Sequence, residues 1–344
     1  MPARGILDFS PAPIAVSLRR FCYGSSDMRP QIFALLGALG TCAISGAGIG
    51  APAMDAGAGV IVIDDRNVYP ESLDAAPDGT LYIGGSTGRI YRAGPGSRYA
   101  EPWILKEDSG LHDGIRGVLV DKARGQLWVC DNEGRESWIV RFALGSGRKL
   151  GSQAFPGGGH CNDISLKGDA AYMTDTSKGR ILKMPRSGGA PQEWFIADPA
   201  DRSLDGLVWT RDGTLYTNTY SSHHLIRVGV NPDGSAGKAT VLKPSQELFQ
   251  PDGMRLAPDG TILLVEGGAR PGAGLKEGRL DRVTVEGDRA KINVIATGFE
   301  LPTAVTTVGR TAWVLESKFD YLRNPALKGQ DPGSFHIRAV VLRR

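Results

Sequence analysis

Glu71, Asn162, Asp205 and Asp252 each open one copy of a repeated segment, and all four carry side-chain oxygen donors. Three carboxylates and a carboxamide gathered at one point would repel strongly in a partly desolvated setting unless a cation sat among them. An all-oxygen set suits a hard divalent ion, calcium first, with magnesium or manganese as alternatives. A cation held in this way polarises a carbonyl and stabilises the oxyanion formed as water attacks. Such chemistry needs a base nearby. His112, Asp113 and Asp252 are the candidates, with Asp252 serving as ligand, base or both. Arg116, His160 and His223 are the expected substrate contacts. Arg116 could hold an anionic group, His160 stands two residues before Asn162, and His223 lies beside His224 in a hairpin turn. The plainer alternative treats Asp205-Gly206 and Asp252-Gly253 as turn dipeptides and the histidines as a solvated rim.

Residues so far apart in the chain meet only if the fold is radially repetitive. Segments beginning at Glu71, Gly117, Asn162, Asp205, Asp252 and Pro302 share a frame of two short apolar runs separated by a turn. The turn carries Asp-Gly at 78–79, 212–213 and 259–260, a pairing that favours tight hairpins. Apolar residues recur two positions into each copy, at Leu73, Leu119, Ile164, Leu207, Met254 and Ala304. A second hairpin follows in most copies, as in Ser86–Arg92 and Ser177–Lys183. About 45 residues and four strands per unit, six times over, predict an all-β, six-bladed β-propeller with four antiparallel strands per blade. The run Val60–Ile63 and the C-terminal run Ile337–Leu342 are expected to complete the sixth sheet together, which removes a free edge.

In this frame the chain resembles the gluconolactonase, senescence-marker and paraoxonase superfamily of calcium-dependent six-bladed propellers. The resemblance spans about residues 60–342 and is carried by the repeat openings. These are Glu71 in the first copy, the Cys161-Asn162-Asp163 segment in the third, Asp205 followed by Gly, and Asp252 within Gln-Pro-Asp-Gly-Met. It implies a metal held by Glu71, Asn162, Asp205 and Asp252, and hydrolysis of lactones, other esters or phosphotriesters. The segment Leu111–Gly117, with His112, resembles the second-blade histidine region of the paraoxonases. Related propellers of the strictosidine synthase type keep the fold without the metal, so a non-enzymatic propeller binding a small ligand or partner protein stands as the alternative.

Composition narrows the partners. The chain has 344 residues and a formal net charge of +3, with no block of like charge that would mark a nucleic-acid surface. A small-molecule substrate and a monomeric propeller are expected. Residues 1–53 read as a leader. Its signal peptide covers about 28–53, with an apolar run from Ile32 to Ile49 and a small-x-small cleavage site at Ala51-Pro52-Ala53. This predicts a periplasmic or secreted propeller over 54–344 without a membrane span. Cys22 and Cys42 fall in the leader, while Cys130 and Cys161 on neighbouring repeats could bridge in an oxidising compartment. The glycine-rich segment Glu266–Gly278 is a long insertion that reads equally as a lid over the mouth or as a plain flexible loop.

Overall fold

The computed structural model describes residues 59–268 and 277–343. The leader with its cysteines and residues 269–276 of the glycine-rich insertion lie outside the described residues. Six antiparallel sheets form six blades around a common axis, each running from an inner to an outer strand. The innermost strands are Pro70–Ala75, Val118–Asp121, Cys161–Lys167, Leu204–Trp209, Pro251–Leu256 and Pro302–Val308. Each packs against the next, and the sixth returns to the first. Five blades have four strands, while the fifth gains a two-residue parallel strand, Lys243–Pro244, on its outer edge. Among the described residues no helix is long and apolar enough to cross a membrane.

Ring closure follows the expected pairing. Val60–Ile63 lies antiparallel on Phe335–Val341, with Val60 opposite Arg338 and Ile63 opposite Phe335. Alternating apolar residues make the blades stick to one another. One cluster of buried side chains fills each gap between neighbouring sheets, for example Leu73, Ile83, Leu315 and Phe335 between the sixth and first blades. The Asp-Gly dipeptides at 78, 212 and 259 form the predicted turns. Gly79, Gly213 and Gly260 adopt φ of 90°, 86° and 88°. The preceding aspartates accept the backbone N–H of Thr80, Thr214 and Thr261 at 2.9, 3.1 and 3.0 Å.

Asp205-Gly206 and Asp252-Gly253 behave differently. Both lie inside innermost strands, so they are not turn dipeptides. A Cβ at Gly206 would stand 2.5 Å from the Asp252 carbonyl oxygen, and one at Gly253 would stand 2.5 Å from that of Thr303. The glycines let neighbouring inner strands approach closely, and the aspartates before them are free to face the axis.

The register corrects two repeat openings. Ser72 Oγ accepts the Val118 N–H at 3.0 Å, as Asp163 Oδ2 accepts the Leu207 N–H at 2.9 Å. Val118 is therefore the counterpart of Leu207, and the counterpart of Asp205 in the second blade is Arg116, not Gly117. In the sixth blade Val305 pairs Val314 as Leu73 pairs Ile83, which makes Thr303, not Pro302, the counterpart of Glu71. The apolar position is correspondingly Val118 and Val305 in place of Leu119 and Ala304. Each slip is one residue. It arises because the first hairpin is one residue longer in the second blade, where Val118 faces Val129, and one residue shorter in the sixth, where Val305 faces Val314, than in the first, where Leu73 faces Ile83, which a fixed repeat spacing does not reveal.

Candidate functional site

With the register set, the six equivalent positions are Glu71, Arg116, Asn162, Asp205, Asp252 and Thr303. All six line one cavity of about 180 Å³ at the hub. The four predicted oxygen donors are thus brought together, and each is less than a tenth exposed. Asn162 Nδ2 donates to Thr176 Oγ1 at 3.0 Å and to Asp205 Oδ2 at 3.2 Å, and Asp205 and Asp252 share a hydrogen bond. His160, Ser203 and Leu301 form a second tier two residues before the hub positions. Tyr69, Gln250 and Leu301 hold φ of 38°, 46° and 46° immediately before Pro70, Pro251 and Pro302. Non-glycine residues adopt this region at a cost of about 1–3 kcal/mol each, and here three blades share it at the same rim position.

Burial governs the electrostatics. It pushes the Glu71 carboxyl up to about 8, against the pull of Arg116 and with help from Asp205 and Asp163. It pushes Asp205 up to about 7, with the charge of Asp163 adding to the effect. Burial followed by the charges of Asp205 and Glu71 drives Asp252 well above the usual carboxylate range. Three crowded carboxyls that resist ionisation are what a hard cation would relieve, so the donor chemistry fits one. Among the described residues, however, no three His, Cys, Asp or Glu side chains are drawn together as tightly as a metal shell. Burial and Arg116 lower His160 to about 4, so its ring is neutral near pH 7.

The remaining candidates lie elsewhere. His112 is outside the cavity lining. Its Nδ1 meets Asp131 Oδ2 at 2.8 Å, and its ring stacks on Trp138. Asp113 is exposed and pairs with Lys106 Nζ at 2.5 Å. His223 packs against Phe249, and His224 Nδ1 meets Asp201 Oδ1 at 2.7 Å. Of the expected base and substrate residues, Asp252, Arg116 and His160 line the cavity.

Several lining residues escaped the sequence reading. Thr303 was hidden by the one-residue slip. Thr176 and Tyr220 follow the second strand of their blades, a position the inner-strand frame does not reach. Burial, then the charge of Asp252, pushes the Tyr220 hydroxyl up to about 12. Phe319 and Arg323 come from the segment between Thr311–Glu316 and Phe335–Val341 in the sixth blade. That segment carries no repeat signal. It brings Phe319 and Arg323 to the cavity, while residues 269–276 of the segment Glu266–Gly278, the other expected cover, lie outside the described residues.

A central feature lies below the hub. Arg255, on the inner strand of the fifth blade, reaches across to Asp163 of the third at 2.9 Å and to the Val118 carbonyl of the second at 3.3 Å. This guanidinium spans the channel beneath the cavity.

The family described as strictosidine synthase-like, N-terminal, matches residues 56–93. No curated protein matches the chain. Among solved structures, one provisionally described as a gluconolactonase aligns with a TM-score of 0.58 and 15% identity, over 85% of this chain and 96% of that one. A luciferin-regenerating enzyme aligns at 0.57 with 12% identity, over 83% and 95%. Virginiamycin B lyase from Staphylococcus aureus aligns at 0.55 with 17% identity, over 81% and 82%. At these identities the likeness establishes the fold. The resemblance to gluconolactonase-type propellers holds at that level.

Proposed function

We propose that this propeller is an exported, metal-dependent hydrolase of a lactone or related ester, with calcium as the expected ion. The observation that carries the reading is the meeting of Glu71, Asn162, Asp205 and Asp252, from four blades, in one buried cavity. These four residues would hold the cation, which supplies polarisation of a carbonyl oxygen and stabilisation of the developing oxyanion. Asp252 is the one proposed base that lines the cavity, and a carboxylate oxygen there can take a proton from water. Tyr220 carries its phenolic proton into the same space and can donate a hydrogen bond to a substrate oxygen. Leu301 and Phe319 narrow the mouth and limit the entry of bulk water. The bridge between Cys130 and Cys161, both fully buried, supports the periplasmic or secreted setting.

The test is a panel of lactones and aryl esters assayed with and without chelator on the wild type and on Asp252→Ala. We expect turnover that chelation abolishes and that falls at least about 100-fold in the variant. Turnover indifferent to chelation, or absent across the panel, would overturn the reading. The second reading is a propeller that binds a small ligand or partner without turning it over. It gains from the placement of His112 and Asp113, which are engaged by Asp131 and Lys106 away from the cavity.

A further inference from the structure

Arg116 stands in the hub ring where four other blades present oxygen donors, and its contacts are unusual for a cation beside carboxylates. Its Nη1 donates to Ser86 Oγ at 3.3 Å and to the Ile115 carbonyl at 3.2 Å, and the guanidinium lies 5.6 Å from the Phe319 ring centre. Arg323 lies 4.9 Å from the same ring and donates to the Tyr220 hydroxyl at 3.3 Å. Among the described residues the hydrogen-bond partners of these two guanidinium groups, Ser86, the Ile115 carbonyl and Tyr220, are all neutral. By contrast, Arg180 pairs with Asp175 at 2.9 Å and Arg255 with Asp163 at 2.9 Å. Each guanidinium offers five N–H donors, so both have capacity left for a ligand. Phe319 is buried and holds the two cations at one edge of the cavity through their contact with its face.

We propose that Arg116 and Arg323, spaced by Phe319, form an anion-recognition subsite, so that the ligand of this cavity is a small molecule bearing a carboxylate or phosphate. In combination with the hydrolase reading, on which this refinement rests, the substrate class is an anionic lactone or ester. The cavity volume of about 180 Å³ limits it to a small molecule. The planar fork of arginine matches both oxyanions, and charge-assisted bonds are about twice as strong as neutral ones. A cation among the three carboxylates would leave the cavity with one net positive charge, which favours an anion further. The competing account is that the two guanidinium groups only offset the acidic ring.

Calorimetric titration of the purified protein with benzoate, phenyl phosphate and neutral benzyl alcohol separates these accounts, and the first two ligands tell carboxylate from phosphate. The wild type should bind at least one anion and prefer it to benzyl alcohol. Arg323→Gln should weaken that affinity about tenfold, and Arg323→Lys should recover part of it. Arg116→Gln should weaken it at least as much, with its melting temperature checked alongside. No anion binding by the wild type, or unchanged anion affinity in both glutamine variants, would overturn the subsite. A parallel assay compares kcat/KM for aryl esters with and without a carboxylate. Anion binding that depends on Arg323 without hydrolysis keeps the subsite and ends the hydrolase reading. Hydrolysis blind to substrate charge ends the subsite and keeps the hydrolase.

Discussion

At the scale of single residues, Gly253 shows how closely the site is built. A side chain there would collide with the Thr303 carbonyl at 2.5 Å, so the inner strands of the fifth and sixth blades would have to separate. Gly253→Ala should lower stability by about 1–3 kcal/mol in urea denaturation, and it should disturb Asp252, the residue before it. The hub carboxylates give a second expectation. Glu71→Gln keeps the shape and removes a charge, so calorimetric affinity for calcium should fall at least about tenfold. Unchanged affinity would remove Glu71 from the ligand set. Glu71, Asn162, Asp205 and Asp252 were legible in the sequence because each opens a repeat with an oxygen donor. The openings of the second and sixth repeats were read one position late and one position early, at Gly117 and Pro302 in place of Arg116 and Thr303, because the first hairpins of those blades differ by one residue from that of the first blade. Phe319 and Arg323 were illegible as site residues, since they belong to a single insertion with no counterpart in the other blades.

At the scale of elements, the third blade's opening is pinned from the second. Cys161 is bridged to Cys130 with a Cα separation of 5.2 Å. Its backbone N–H also meets Asn132 Oδ1 at 2.9 Å, while Asn132 Nδ2 donates to the Cys161 carbonyl at 3.0 Å. Replacing both cysteines by serine should lower stability by about 2–4 kcal/mol in a denaturant titration. The polar network that remains should keep Asn162 near its place, so the loss in calcium affinity should be smaller than for Glu71→Gln. The sixth blade has its own tie. Burial alone would raise the Glu316 carboxyl, but bonds from His336, the Glu300 N–H at 3.0 Å and Arg338 at 3.0 Å outweigh it and hold it below the ordinary glutamate value. A carboxyl depressed in the folded state stabilises above its unfolded value, and the contribution is lost as pH falls through the folded one. Glu316→Gln should therefore lower the melting temperature at neutral and alkaline pH, and that deficit should vanish as the pH falls, so that the acid limb of the profile flattens. The strand count, the Asp-Gly hairpins and the terminal pairing were readable from alternation and turn chemistry. The extra strand Lys243–Pro244 was not, because two residues carry no periodic signal.

At the scale of the whole molecule, Arg255 joins three blades across the axis. Removing it would leave Asp163 buried opposite nothing but backbone donors. Arg255→Ala should cost about 3–5 kcal/mol, and adding Asp163→Asn should restore part of that loss in the same unfolding experiment. A sequence can announce six repeats, yet it gives no notice that a side chain 92 positions from its partner will bar the channel. The seam of the sixth blade carries a consequence in time. Val60–Ile63 is the earliest described strand to be synthesised, and its hydrogen-bonding partner Phe335–Val341 is among the last. One edge of that strand can bond at once, through Val62 to the Arg98 carbonyl and the Ala100 N–H, but its other edge must wait through the making of every blade between. The ring becomes one cooperative body only when the tail of the chain arrives to clasp its beginning.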